Sequence, residues 1–382
     1  MIGDVLIDIA ILLAILVGLV LLHELGHFVT ARRAGVRVHE FGIGFPPRAL
    51  VLHRGPETVT SLNWLPIGGF VRMEGEEGES LDPRAFVNQA LSRRLAILLA
   101  GVIMNLVLAW AVFTLIAMFA DPVANVRVGA VQPGSPAAVA GLVGGREVVL
   151  PDGTTTYDGS GDLIVAMDGR RFPVFDGIPS GVDPETQAPA PLRYLREHAG
   201  EDVTLTIRHA DGAEEDVTVT LRGPEDVERG TLGILITALP QEDTRNGPAE
   251  SVVIGLRRTV EASFLIVEGV FQLVATLLGG DLEDAPVAGP VGIVSVVGDV
   301  RAELPPVYLL WLVGLLSANL AVINVLPFPP LDGGRVLMAL VRAVSRDRVT
   351  PHAERMVYLT GFVMLMALLA WVTALDIGRL GS

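Results

Sequence analysis

Long apolar runs alternate with charged ends along this chain, and four of the runs are long enough to cross a bilayer. They are roughly Val5–Thr30, Leu95–Phe119, Val307–Leu326 and Met356–Leu375. From Val5 to Leu22 the only charge is Asp8. A fifth apolar stretch, Ser251–Leu278, has a different pattern. Its Arg257, Arg258, Glu261, Glu268 and Gln272 fall within about 100° on a helical wheel, which predicts a helix lying at the interface or packed on the bundle rather than a span. Between Glu40 and Gly78 the pattern changes to strands: Val51–Leu52, Val59–Leu62 and Phe70–Met73, punctuated by glycine and proline. Leu65–Phe70 is apolar but too short to cross, so a hairpin dipping into the membrane is expected. From about Val126 to Ile236 the alternation is that of a small β-rich domain. Strands are expected at Leu163–Asp168, Val203–Ile207 and Val217–Leu221, the last two joined by a turn at Asp211-Gly212. A short helix is expected at Pro136–Gly141, and Leu150–Gly161 reads as a polar, glycine-rich insertion.

Composition agrees with the pattern. Of 382 residues, 51% are hydrophobic, and the mean hydropathy is +0.52, as in an integral membrane protein. The net charge is −15, all 28 basic residues are arginine, and no basic patch offsets the acidity, which argues against a nucleic-acid partner. There is no cysteine, so disulfides and thiolate metal ligands are excluded, leaving histidine and carboxylate. The first run has no basic leader and carries a chemical motif at its end, so it is expected to remain as a span.

The arginines set an orientation. Arg32, Arg33, Arg37, Arg48 and Arg54 follow the first span, Arg93 and Arg94 precede the second, and Arg342, Arg346, Arg348 and Arg355 lie between the third and fourth. By the positive-inside rule these ends are cytoplasmic, and Asp121–Pro306 and both termini lie outside. The expected fold is a multi-pass α-helical membrane protein with four core transmembrane helices, a membrane-associated β-hairpin and an inserted β-rich domain. Its parts are a first membrane half (1–120), the β-rich domain (121–240), an amphipathic helix and connector (241–306) and a second membrane half (307–382).

The chemistry enters at the end of the first span, in His23-Glu24-Leu25-Gly26-His27. On a helix this spacing puts two imidazoles one turn apart on one face, where both can bind one Zn²⁺, and the glutamate between them can take a proton from an activated water. A catalytic zinc uses three protein ligands and one open position. Asp332, in Asn324-Val-Leu-Pro-Phe-Pro-Pro-Leu-Asp332-Gly333-Gly334, is the best third ligand. The first and third spans run in the same direction in the derived topology, so His23 and Asp332 reach similar depth, towards the cytoplasmic half. Pro327, Pro329 and Pro330 break the helix there, and the glycine pair permits close backbone approach. A peptide bond inside a helix is shielded, so a substrate has to be unwound. The Glu57–Met73 hairpin region and Asn324 are the natural candidates for holding it extended. His39, His53, His198, His209 and His352 read as solvated or interfacial rather than as ligands. A metal transporter would line several spans with polar residues, and the second and fourth show almost none.

These segments resemble the site-2 protease family of intramembrane zinc metalloproteases, peptidase family M50, in its bacterial regulated-intramembrane-proteolysis branch with a PDZ domain. The resemblance is carried by HELGHF at 23–28, FGIGF at 41–45 with LPIGGFVRMEG at 65–75, AGVIMN at 100–105, GPVGI at 289–293 and NVLPFPPLDGG at 324–334, in the family's order. It implies zinc held by His23, His27 and Asp332, with Glu24 as catalytic base. It also implies substrate contacts from Asn324 and from the hairpin at Gly68, Gly69 and Phe70. Single-span membrane proteins in the lipid bilayer would be the substrates, and the bacterial plasma membrane the location. VGAVQPGSPAAVAGL at 128–142 and GDLIVAMDG at 161–169 resemble parts of a permuted PDZ domain. Three departures stand out: an insertion at Val148–Ser160, one PDZ-like unit where some relatives carry two in tandem, and Val102 where the family has proline.

Overall fold

The run that ends in HELGH forms one continuous helix, α1 (Ile2–Arg33), with Asp4 in its first turn and Arg32 and Arg33 in its last, charges that suit the helix dipole. The computed structural model describes residues 2–76, 80–151, 153–176, 188–225, 230–279, 289–345 and 350–380. The chain divides into two units, Met1–Thr114 with Val252–Ser382, and Leu115–Ser251.

After α1 come two long antiparallel strands, β1 (Val38–Arg54) and β2 (Val59–Met73). The short strands expected from the sequence are therefore fused. Glycine and proline bend these strands rather than end them. The first half of β1 lies between two parts of β2, so that Gly42 pairs with both Phe70 and Ser61, and beyond Pro46 and Pro47 the second half pairs Leu50 with Leu62. Glu40, buried inside this curl, accepts hydrogen bonds from Ser61 (2.7 Å) and Arg48 (3.0 Å) and pairs with Arg72 at 3.1 Å. The second long helix, α2 (Leu91–Phe119), follows.

The unit Leu115–Ser251 holds β3 (Asp121–Ala124), β4 (Val126–Val131), α3 (Pro136–Val139), β5 (Glu147–Val149), β6 (Thr155–Tyr157), β7 (Leu163–Met167), α4 (Ala190–Glu197), β8 (Asp202–Arg208), β9 (Glu214–Thr220), β10 (Ile234–Ala238) and β11 (Gln241–Thr244). Five strands form an antiparallel sheet in the order β10-β4-β7-β8-β9. The alternation expected of β8 is present: Val203, Leu205 and Ile207 are buried, packed with Val126, Val128, Ile164 and Met167. The segment expected as a plain polar insertion instead contributes β6 to a small hairpin with β5.

Returning to the first unit, α5 (Pro248–Gly279) is a single helix of 32 residues. It contains Ser251–Leu278, the stretch expected at the interface or packed on the bundle. With it, five described helices are long and apolar enough to cross a membrane, one more than the four core spans expected. The polar stripe is concentrated near one end, since beyond Arg258 the helix carries only Glu261 and Glu268 as charges. Then come α6 (Pro290–Glu303), α7 (Pro306–Val325), α8 (Asp332–Ser345) and α9 (Pro351–Leu380). Short α6 is tied at both ends. The amides of Gly289 and Gly292 donate to the Asp376 carboxylate on α9, and Arg301 donates to Asp8 on α1 at 2.6 Å.

Successive contacts give the helix directions. Arg301 meets Asp8, Leu312 shares a buried cluster with Leu12, and Asp332 meets His23, so α7 runs parallel to α1. His27 meets Ile97 and His23 meets Asn105, so α2 runs antiparallel to α1. Large apolar side chains face outward along the unit, among them Val5 and Leu6 on α1, Ile103 and Val107 on α2, and Phe362 and Val363 on α9. That many exposed apolar side chains on long helices suit a lipid surround.

Candidate metal centre

Three donor atoms meet inside the first unit. His23 and His27 project from the same face of α1, their rings edge to face with centroids 4.7 Å apart. Asp332 opens α8, delivered to the same place by the turn after α7. Its Oδ2 lies 3.0 Å from His23 Nε2 and 3.1 Å from His27 Nε2, and the two Nε2 atoms are 3.1 Å apart. The three side chains are 7%, 8% and 12% exposed. The turn depends on its glycines. A Cβ on Gly333 would lie 2.1 Å from the Val325 carbonyl oxygen, and one on Gly334 would lie 2.7 Å from Phe328 backbone atoms. Only glycine lets α8 start that close to the end of α7.

The hydrogen-bonding atoms show that this group fits a metal. His27 Nδ1 lies 2.8 Å from the Ile97 carbonyl oxygen. A carbonyl only accepts, so Nδ1 carries the proton and neutral His27 presents a bare lone pair at Nε2. That lone pair faces a carboxylate oxygen and a second imidazole nitrogen at hydrogen-bond distance. One shared proton cannot satisfy three converging acceptors, whereas a cation among them satisfies all three. The three ligand atoms lie within 4.8 Å of one another. Space for the ion comes from α2. A Cβ on Gly101 would lie 2.5 Å from His27 Nε2 and 2.7 Å from His23 Nε2. A methyl group there would crowd both imidazole nitrogens, so glycine at 101 keeps the wall beside the lone pairs clear for an ion. The same close packing of α1 on α2 needs Gly26, whose Cβ would strike the Ala100 carbonyl oxygen at 2.5 Å.

Glu24 is half-buried beside this cluster. The backbone of β2 passes next to it, and a Cβ on Gly69 would come 3.4 Å from Glu24 Cγ. Gly69 is therefore brought to the site. Gly68 is in the left-handed region with φ +80° and turns its open side to the Phe45 ring. The Phe70 ring packs over Gly42 inside the hairpin. Asn324 donates to the Leu320 carbonyl on its own helix at 2.9 Å. Arg335, one turn after Asp332, pairs with Glu76 just beyond β2 at 2.5 Å and ties the α8 start to the hairpin.

Of the remaining histidines, His39 pairs with Glu74 at 2.7 Å and His209 with Asp162 at 2.8 Å, away from the cluster. In the sequence, AGVIMN at 100–105 stands out only as a family-like segment. The structure brings two of its residues, Gly101 and Asn105, against the histidines. The legible signal was their four-residue spacing, which puts both on one face of the second span.

Comparison with known proteins identifies the family. The pattern described as peptidase family M50 matches residues 11–368. The chain is 30% identical over 359 residues to a Clostridium acetobutylicum protein provisionally named a zinc metalloprotease, covering 94% of each chain. It is 32% identical over 362 residues to one of the same provisional name from Clostridium perfringens, covering 94% of this chain and 95% of that one. It is 28% identical over 443 residues to the zinc metalloprotease RasP of Geobacillus kaustophilus, covering 94% and 95%. With a match over nearly the whole chain and a His-His-Asp cluster at its centre, this multi-pass membrane protein belongs to peptidase family M50, the zinc metallopeptidases of site-2 protease type.

Proposed function

We propose that the chain hydrolyses a peptide bond in or near the transmembrane segment of a single-span membrane protein, as a step of regulated intramembrane proteolysis. An anti-sigma factor and a signal-peptide remnant both have the required form. The observation that carries this reading is the convergence of three ligand atoms within 4.8 Å, on helices of membrane-spanning length, with Glu24 beside them.

His23, His27 and Asp332 would hold the metal. Zinc bound there would supply a Lewis acid for the scissile carbonyl and lower the pKa of water. Glu24 would take a proton from the attacking water and return it to the leaving amine. Half-burial lets Glu24 face the reacting atoms while the helix keeps it out of the ligand set. Gly69, with no side chain, lets an extended substrate segment lie along β2 next to Glu24, and such strand addition unwinds the substrate helix before attack. Gly68 and Phe70 shape that edge. Asn324 contacts substrate by giving up its bond to Leu320.

The parallel course of α1 and α7 supports the orientation read from the arginines, with the metal centre towards the cytoplasmic half. Two parallel spans need an even number of crossings between α2 and α7. Helix α6 has 14 residues, about 21 Å, and is too short to bring the chain back across a core of about 30 Å. This supports four core spans with α5 outside that set. The unit Leu115–Ser251 then lies outside the cytoplasm as a PDZ-like domain, with Ser135 capping α3 after β4.

The reading is tested with the purified protein and a single-span substrate reconstituted together. Glu24→Gln is expected to keep its zinc and lose cleavage by at least about a hundredfold. Equal cleavage by wild type and variant contradicts the mechanism.

A further inference from the structure

The second span does more than leave room for an ion. Asn105 lies one turn beyond Gly101 on α2, is fully buried at 0% exposure, and reaches the far side of His23. Its amide nitrogen lies 3.3 Å from His23 Nδ1, while its Oδ1, also buried, has no hydrogen-bond partner among the described residues. The Asn105 backbone carbonyl accepts from Ser317 Oγ on α7 at 2.8 Å, which anchors this part of α2 independently of the side chain.

The two ends of an amide have the same shape, so hydrogen bonding decides which of them faces the ring. If the amide nitrogen donates to His23 Nδ1, the imidazole proton is forced onto Nε2. That proton would point into the cluster of Asp332 and His27, where a lone pair is needed to bind metal. With the amide turned round, Oδ1 accepts the Nδ1–H of His23 and Nε2 presents its lone pair to the cluster. Metal-binding imidazoles characteristically have such a partner on the other nitrogen. His27 already has one in the Ile97 carbonyl oxygen.

We propose that Asn105 is a positioning residue of the metal centre: through Oδ1 it fixes the tautomer and ring plane of His23 so that Nε2 binds the ion. The inference rests on the ligand role given to His23 above. Asn105 touches neither the substrate nor the metal, and its effect is on metal affinity.

The test measures zinc affinity of the full chain in detergent by competition with a chromophoric chelator, with folding followed by circular dichroism. The variants are Asn105→Ala, Asn105→Ser and Asn105→Asp, with His23→Ala as reference. Asn105→Ala is expected to weaken zinc binding about 10–100-fold. Asn105→Ser, whose hydroxyl is too short to reach the ring, is expected to behave alike and serves if the alanine variant does not fold. Asn105→Asp keeps an acceptor and is expected to bind zinc at least as tightly as wild type. Wild-type affinity in Asn105→Ala or Asn105→Ser overturns the proposal, and so does an equal loss in Asn105→Asp, which would mean that the amide acts as donor or as packing. If His23→Ala itself binds zinc normally, the ligand assignment fails instead, and the two failures are distinct.

Discussion

The metal centre and the β-rich unit both bury polar side chains, and they use them in opposite ways. In the β-rich unit two buried acceptors, Asp162 and Ser135, are consumed by their neighbours. Asp162 accepts from the Val143 amide at 2.7 Å and from His209 at 2.8 Å, and Ser135 Oγ accepts from the Ala138 amide at 3.2 Å to cap α3. Each of these two acceptors faces a donor. In the metal centre the acceptors face one another. His23, His27 and Asp332 spend their contacts on a shared point, and glycine, not a side chain, fills the wall opposite. A buried polar cluster that satisfies itself holds a fold together, whereas one that converges without donors is built for a ligand.

The largest expected effect that sharpens this contrast is at the ligands. His27→Ala or Asp332→Ala should lose bound zinc and lower cleavage of a membrane-embedded substrate by at least about a thousandfold, read by metal analysis and by a cleavage assay. A smaller loss is expected from Gly101→Ala, which moves only the wall. Its methyl group would crowd the Nε2 atoms of His23 and His27, and displacing these side chains by about 1 Å is expected to cost roughly a hundredfold in rate. In the other region, Leu205→Ala opens a cavity in the β-rich core and should destabilise that unit by about 2–5 kcal/mol. Limited proteolysis of the full chain should then cut within Leu115–Ser251, while the zinc content stays at the wild-type level.

The smallest effect expected is one of pH. Hydrogen bonds from His209 to Asp162 and Glu215 raise the His209 pKa above its ordinary 6.5. A raised folded-state pKa means that the stabilisation is fully present below 6.5 and is lost as pH rises through the raised value. Protease resistance of the β-rich unit should therefore fall slightly on going from acid to alkaline buffer. His209→Gln should flatten that slope without touching the zinc.

The same contrast explains how much could be read from the sequence. The cluster was legible because its spacing is chemical: His23 and His27 are one turn apart, and Asp332 follows a span that had to run parallel to the first. The long helices were legible from unbroken apolar runs. The hairpin was legible only in pieces, because Gly42, Pro46 and Pro47 look like strand ends yet here mark bends within β1. Helix α5 was assigned to the interface on its polar stripe, and its length and hydropathy are those of a span as well. Gly101 and Asn105 were nearly invisible. Within an apolar helix a glycine and an asparagine look like packing, and their part in the site depends on α1 lying against them. Residues that make room or accept a single proton leave little trace in a pattern of hydrophobic and polar positions.

If His23, His27 and Asp332 together hold one zinc ion within the membrane unit, X-ray absorption at the zinc edge of the purified protein should show one zinc per chain, with two imidazole nitrogens, oxygens for the rest and no sulfur, and the loss of one imidazole in His23→Ala. A chain that binds no zinc, or a coordination shell that stays the same in His23→Ala, would contradict this ligand set.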